Sequence, residues 1–233
     1  RGHSTAAKQA IRLAIDASPA SRADPEPRSW ALTQAANLFW QEGDYAGADA
    51  GYEMALRQSP DYPAALVGRG QVAMAQGRYA DAAGHFEGAY KRNPLAETAW
   101  LLGDARTLAG DAGGAAEAYS ALLRQGRRTD PRTVALYLAR QNRDLPEALE
   151  LIEAERKGRG DVYTQDIYAF VLFRLGRHAE ARAVSDAVLQ VGVKDARILY
   201  HAAEVHAASM DLPGAKALVE DALHRNPHFE VQG

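Results

Sequence analysis

Six alanines recur along this chain at almost constant spacing: Ala48, Ala82, Ala115, Ala148, Ala181 and Ala215, separated by 34, 33, 33, 33 and 34 residues. A repeat of this length is one supersecondary unit copied in series, and no reading of the fold can ignore it. Four residues after each alanine stand Tyr52, Phe86, Tyr119, Ile152, Ser185 and Val219, and three further on Ala55, Ala89, Leu122, Glu155, Val188 and Ala222. Offsets of about 0, 4 and 7 mark one face of a helix. The small residue admits a neighbouring helix closely, and the larger one fills the space beside it.

Five residues before each alanine lie Gly43, Gly77, Gly110, Arg143, Gly176 and Met210. Glycine here ends a preceding helix by taking a left-handed conformation cheaply. Pro60, Pro94 and Pro227 share a later phase, where proline stops the second helix. Pro146 and Pro213 fall in its first turn, where a missing N–H costs nothing. Asp144 and Glu147 are spaced as a capping pair for the same helix. Each unit therefore reads as helix, turn, helix. The alanine-rich composition has high helix propensity and points the same way, so the expected class is all-α.

This pattern resembles the tetratricopeptide repeat, and residues 63–95 match it best through Gly70, Gly77, Ala82, Phe86, Ala89 and Pro94. The resemblance, of the alanine-rich bacterial type, implies a right-handed α-solenoid superhelix of six units. They are placed at about 29–62, 63–95, 96–128, 129–161, 162–195 and 196–229. Unit four departs furthest, with Arg143, Glu155 and Gly160 at family positions. Ala7, Ile11, Ala14 and Pro19 repeat the second-helix phase, so 1–19 is expected to be a helix of an incomplete repeat, with a loop at 20–28. The whole chain is expected to be one domain.

No catalytic constellation emerges. The chain has no cysteine, which excludes disulfides, thiolate metal sites and cysteine nucleophiles. His201, Glu204 and His206 resemble a zinc-protease helix only superficially, because histidines five residues apart diverge around a helix. His224 and His228 straddle Pro227; His85 and His178 are expected at or beside helix starts, exposed. Gly68-Arg-Gly70 is a fragment of a phosphate loop without the rest, and Arg159-Gly160-Asp161 is a tripeptide in a turn. The expectation is no enzyme, no cofactor and no metal. With 27 Lys+Arg against 30 Asp+Glu, the net charge of -3 offers no basic field for nucleic acid. A run of basic residues from Arg124 to Arg159 is interleaved with acids and reads as a salt-bridged surface, with RNA or an acidic partner as the lesser alternative. No run is apolar enough to span a membrane. The chain opens at Arg1 without Met, which suggests a processed or cut product; its compartment stays open, cytoplasmic or exported.

The family resemblance also implies that first helices line an inner, concave wall. Carried over, the partner-facing positions include Trp30, Asn37, Trp40, Gln71, Met74, Trp100 and Asp104. Further along they include Tyr137, Arg140, Tyr163, Asp166, Phe170, Phe173, Tyr200 and Glu204. Eight of the chain's 18 aromatics (3 Trp, 10 Tyr and 5 Phe in all) fall in this set, well above an even spread. Tyr and Trp dominate binding hot spots; the alternative is that some pack between adjacent first helices. The family's carboxylate clamp of Lys and Asn is matched at Asn37 but not at Thr33, Val67 or Gln71. The implied function is a non-catalytic scaffold holding a protein or peptide segment in an aromatic groove. The alternatives are a subunit of a larger enzyme or assembly, and an end-to-end self-associating structural protein, since no polar capping helix follows Pro227.

Overall fold

The computed structural model of the chain describes residues 25–227, all of them helix, turn or connector. The expected helix at 1–19 and most of the loop at 20–28 lie outside the described residues. The chain divides into two compact units, 1–120 and 121–233.

The first unit holds α1 (Glu26–Gln41), α2 (Tyr45–Gln58), α3 (Pro63–Ala75), α4 (Tyr79–Arg92), α5 (Ala96–Leu108) and the opening of α6 (Ala112–Thr129). α1 begins inside the segment expected as loop, because Pro27 sits in its first turn, where no N–H is needed. Successive helices pack on one another from α1 to α5, and α1 also packs on α3. The second unit holds the rest of α6, α7 (Pro131–Arg140), α8 (Leu145–Gly158), α9 (Val162–Arg174), α10 (His178–Gln190), α11 (Ala196–Ala208) and α12 (Leu212–Arg225). Successive helices from α7 to α12 pack together, and the first helices of its hairpins, α7, α9 and α11, touch in a row.

The repeat alanines hold the hairpins closed. Ala48, Ala82, Ala148 and Ala181 are fully buried, with Ala115 and Ala215 nearly so. In the first three hairpins aromatic rings take the remaining volume, and glycines on neighbouring helices make room for them. A Cβ on Gly70 would stand 2.4 Å from the Phe86 ring, one on Gly103 2.4 Å from Tyr119, and one on Gly68 2.2 Å from Tyr52. Real contacts never come that close, so at these three places the absent side chain is a packing requirement.

Turns follow the expected logic with two corrections, both in the fourth hairpin. Gly43, Gly77, Gly110 and Gly176 have φ between 71 and 84°, and Met210 takes the same role at φ 62°. In the fourth hairpin the left-handed residue is Asn142 (φ 50°) rather than Arg143, and Asp144 is also left-handed (φ 49°). The turn is thus one residue longer there, and asparagine tolerates this conformation better than arginine. The Asp144–Glu147 capping pair does not form. Asp144 makes no cap hydrogen bond, and Glu147 instead accepts from Arg127 Nε at 2.5 Å. Elsewhere aspartates cap the helices. Asp44, Asp111, Asp130, Asp161, Asp195 and Asp211 each accept from a backbone N–H in the first turn.

Candidate binding surface on the first helices

In the first unit the sequence-predicted residues divide by depth. Trp30 leaves 55% of its surface exposed. Trp40, Gln71 and Trp100 are half-buried. Trp40 packs against the core of the first hairpin, its ring 5.2 Å from that of Tyr45. Met74 is buried. Asn37 and Asp104 share a structural duty. Tyr52 donates its hydroxyl to Asn37 Oδ1 at 2.7 Å, and Tyr119 donates to Asp104 Oδ1 at 2.8 Å. Each polar residue on a first helix thus accepts from the tyrosine of its own second helix, Tyr52 being buried and Tyr119 half-buried. Burial pushes the Tyr52 hydroxyl pKa above the ordinary tyrosine range. Thr33, at the family's clamp-lysine position, is buried and donates to the Ser29 carbonyl at 2.8 Å.

In the second unit the row α7, α9, α11 carries the other half of the set. Tyr163 is 46% exposed. Arg140, Phe173, Tyr200 and Glu204 are half-buried, while Tyr137 is buried. Asp166 and Phe170 are also buried, and both meet His201 of α11. His201 Nδ1 lies 2.8 Å from Asp166 Oδ2, and its ring stacks on Phe170 at 4.4 Å with the planes 25° apart. Phe173 leans on Phe170 at 5.9 Å and on His178 at 6.0 Å. The structure thus brings Asp166 and Phe170 onto His201, a histidine absent from the predicted set, with Phe173 against Phe170. The signal for it was present: Asp166 and His201 lie 35 residues apart. That is one repeat plus one residue, so the repeat places them side by side on adjacent first helices.

His206 belongs to a second cluster. Its Nδ1 faces Asp211 and its Nε2 faces Asp186, each at 3.1 Å, while Arg182 binds both aspartates. The two histidines of the H-A-A-E-V-H stretch therefore serve different carboxylates. Asp211 is held below the ordinary carboxylate range first by the Gly214 N–H, then by Arg182 and His206, against the opposing effect of burial. His85 lies within α4 rather than at its start and is half-buried, so burial lowers its pKa; His178 opens α10 and is exposed.

Several arginines of the basic run pair with the acids interleaved among them. Arg127 pairs with Glu147, Arg132 with Asp161, Arg143 with Asp144, and Arg159 with Glu155 and Asp161. The Arg-Gly-Asp turn ends in the cap of α9: Asp161 accepts from the N–H of Tyr163 and of Thr164 at 3.0 and 3.1 Å. Among the described residues no group of three or more His, Cys, Asp or Glu side chains is placed to hold a metal ion. No described helix is long and apolar enough to cross a membrane.

Helical hairpins stacked by small residues, with left-handed turns between their helices, define a helical-repeat scaffold. The tetratricopeptide repeat family model matches residues 33–97 and 69–131. Among solved structures, the fold is similar to a tetratricopeptide repeat protein from Parabacteroides merdae, with TM-score 0.56 and 16% identity, covering 96% of this chain and 87% of that one. It is also similar to a monomeric mutant of IFIT1 with Gppp-AAAA (TM-score 0.60, 14% identity, 90% and 52% covered). A third is the APC/C hetero-tetramer Cut9-Hcn1 (TM-score 0.57, 14% identity, 97% and 44% covered). No curated protein matches the chain. Residues 33–131 accordingly carry tetratricopeptide repeats, and the fold is all-α and of the α-solenoid class, with twelve helices among the described residues. This fold serves in general as a protein-interaction scaffold and is generally non-catalytic.

Proposed function

We propose that the chain is a non-catalytic scaffold whose first helices hold a protein or peptide segment. The observation that carries this reading is the placing of Trp30 and Tyr163. Each stands at the same phase of its repeat, on a first helix, and each leaves about half its surface open, 55% and 46%. Soluble proteins rarely keep large aromatic surface in water without a contact to make, and such rings are the usual anchors of binding energy. Trp100, Arg140 and Glu204 are half-buried on first helices, whereas Phe173 and Tyr200 pack on the hydrophobic cores of their hairpins. The net charge of -3 favours a protein partner over nucleic acid.

The test is capture of partners by the wild-type chain and by Trp30→Ala and Tyr163→Ala. Because both rings are exposed, both variants should melt as the wild type does. Loss of an anchoring ring should weaken capture by about 2 kcal/mol. Unchanged capture by both variants would remove the first-helix faces from the interface. Retention of RNA rather than protein would favour the basic run of the second unit. A concentration-dependent mass for the chain alone would point to self-association.

A further inference from the structure

The second unit holds a cavity of about 400 Å³ that none of the aromatic residues just described lines. It opens between α8 and α10, both of which pack on α9. Its apolar lining comes from Val162 on α9 and from Val184, Ala187, Val188 and Val191 on or just after α10. Polar groups occur on one side only, where Arg156 and Gln165 meet the cavity. Gly160 also borders it, with open space where a Cβ would stand, so the connector leaves the mouth clear.

Arg156 is held in place without being neutralised. Its Nε donates to Gln165 Oε1 at 3.1 Å, and its guanidinium lies 3.7 Å from the centre of the Tyr168 ring. No carboxylate pairs with it among the described residues, although neighbouring acids are occupied. Glu155 pairs with Arg159, and Asp161 caps α9 while meeting Arg132 and Arg159. The fork of the guanidinium is therefore fixed at one end and open at the other. Planar, pre-oriented donors of this kind suit a carboxylate.

We propose that this cavity binds a small amphipathic acid, an apolar chain ending in a carboxylate, with the chain among the valines and the carboxylate on Arg156. The volume is that of a small-molecule site, and apolar walls with a single charged group are the usual composition of one. The one-sided placing of the charge sets the orientation. A bare hydrocarbon would leave the guanidinium unanswered, and a dianion would leave a charge against valine.

Decanoate, below its micelle concentration, is the probe, with decanol as the uncharged control. A short blocked peptide ending in leucine tests whether the carboxylate belongs to a chain terminus instead. Titration followed by NMR should move the methyl signals of Val184, Val188 and Val191, with decanoate binding more tightly than decanol. Arg156→Gln should weaken decanoate by about tenfold, the worth of one charge-assisted hydrogen bond, and leave decanol unchanged. Ala187→Phe places a ring in the cavity from an exposed helix position, so it should fold normally and bind neither probe. Shifts that fall outside these valines, equal binding of decanoate and decanol, decanoate affinity unchanged in Arg156→Gln, or unchanged binding in Ala187→Phe would each overturn the site. Tighter binding of the peptide than of decanoate would overturn the small acid as its occupant.

Discussion

Single atoms decide much of this fold. The repeat alanines are buried because a second-helix position one methyl wide is what lets two helices close. Ala82→Leu should overpack that contact and cost about 1–3 kcal/mol, read as a lower urea midpoint with an unchanged slope. The glycine–ring pairs are as tight: Gly70→Ala should cost a similar amount, about 1–3 kcal/mol, since the Phe86 ring cannot withdraw. A midpoint unchanged in both would show that the hairpins pack otherwise. At the same scale, Asp211 carries a pH dependence. Its carboxyl is depressed from the ordinary 3.8 in the folded chain. The stability it contributes is therefore full above that value and is lost as pH falls through the lower, folded one. Asp211→Asn should flatten the acid side of the stability profile below about pH 4; an acid limb equal to that of the wild type would contradict this. Truncating Phe170, buried against His201, should cost about 3–5 kcal/mol of stability, a cost that Tyr163→Ala should not show.

Helices and their turns were the part most legible in the sequence. Spacing alone located the repeat alanines, the left-handed glycines and the stopping prolines, because each reports a local backbone need. Asp144 and Arg143 misled for the same reason in reverse. The spacing assumed a turn of fixed length, whereas here Asn142 takes the left-handed place directly after the helix cap and one extra residue follows it before the next helix. Side-chain partners were harder to read. Asn37 and Asp104 lie on a phase that the family resemblance assigns to the partner-facing wall, yet they accept from the tyrosines of their own second helices, which depends on whether the second helix carries Tyr or Phe. The pairing of Asp166 with His201 needed two repeats read against each other rather than one. At this scale the sixth hairpin carries a correctable flaw. Met210 holds a left-handed φ of 62° while 83% exposed, so its side chain gains no packing in return. Met210→Gly should raise stability by about 1 kcal/mol; a lower melting temperature would mean that the methionine makes a contact worth more than its strain.

Over the whole molecule, stability in a repeat protein is a sum of unit and neighbour terms, so the weakest unit opens first. The fourth hairpin has the shortest first helix, ten residues, and two left-handed non-glycine residues in its turn. Amide exchange should be faster across 126–161 than across 63–95. Equal protection in the two segments would count against the fourth hairpin as the point of opening.

The nesting of rings against glycines bears on how such a chain can be altered. Gly70 and Phe86 lie in the same hairpin, as do Gly103 and Tyr119, so a hairpin copied or exchanged as a block takes both halves with it. Tyr52 and Gly68 sit in consecutive hairpins. A recombination that joins the first hairpin to any successor lacking glycine at that phase drives a tyrosine ring into a Cβ. The seam between the first two hairpins is thus one where free shuffling of units fails, because ring and glycine must be inherited as a pair.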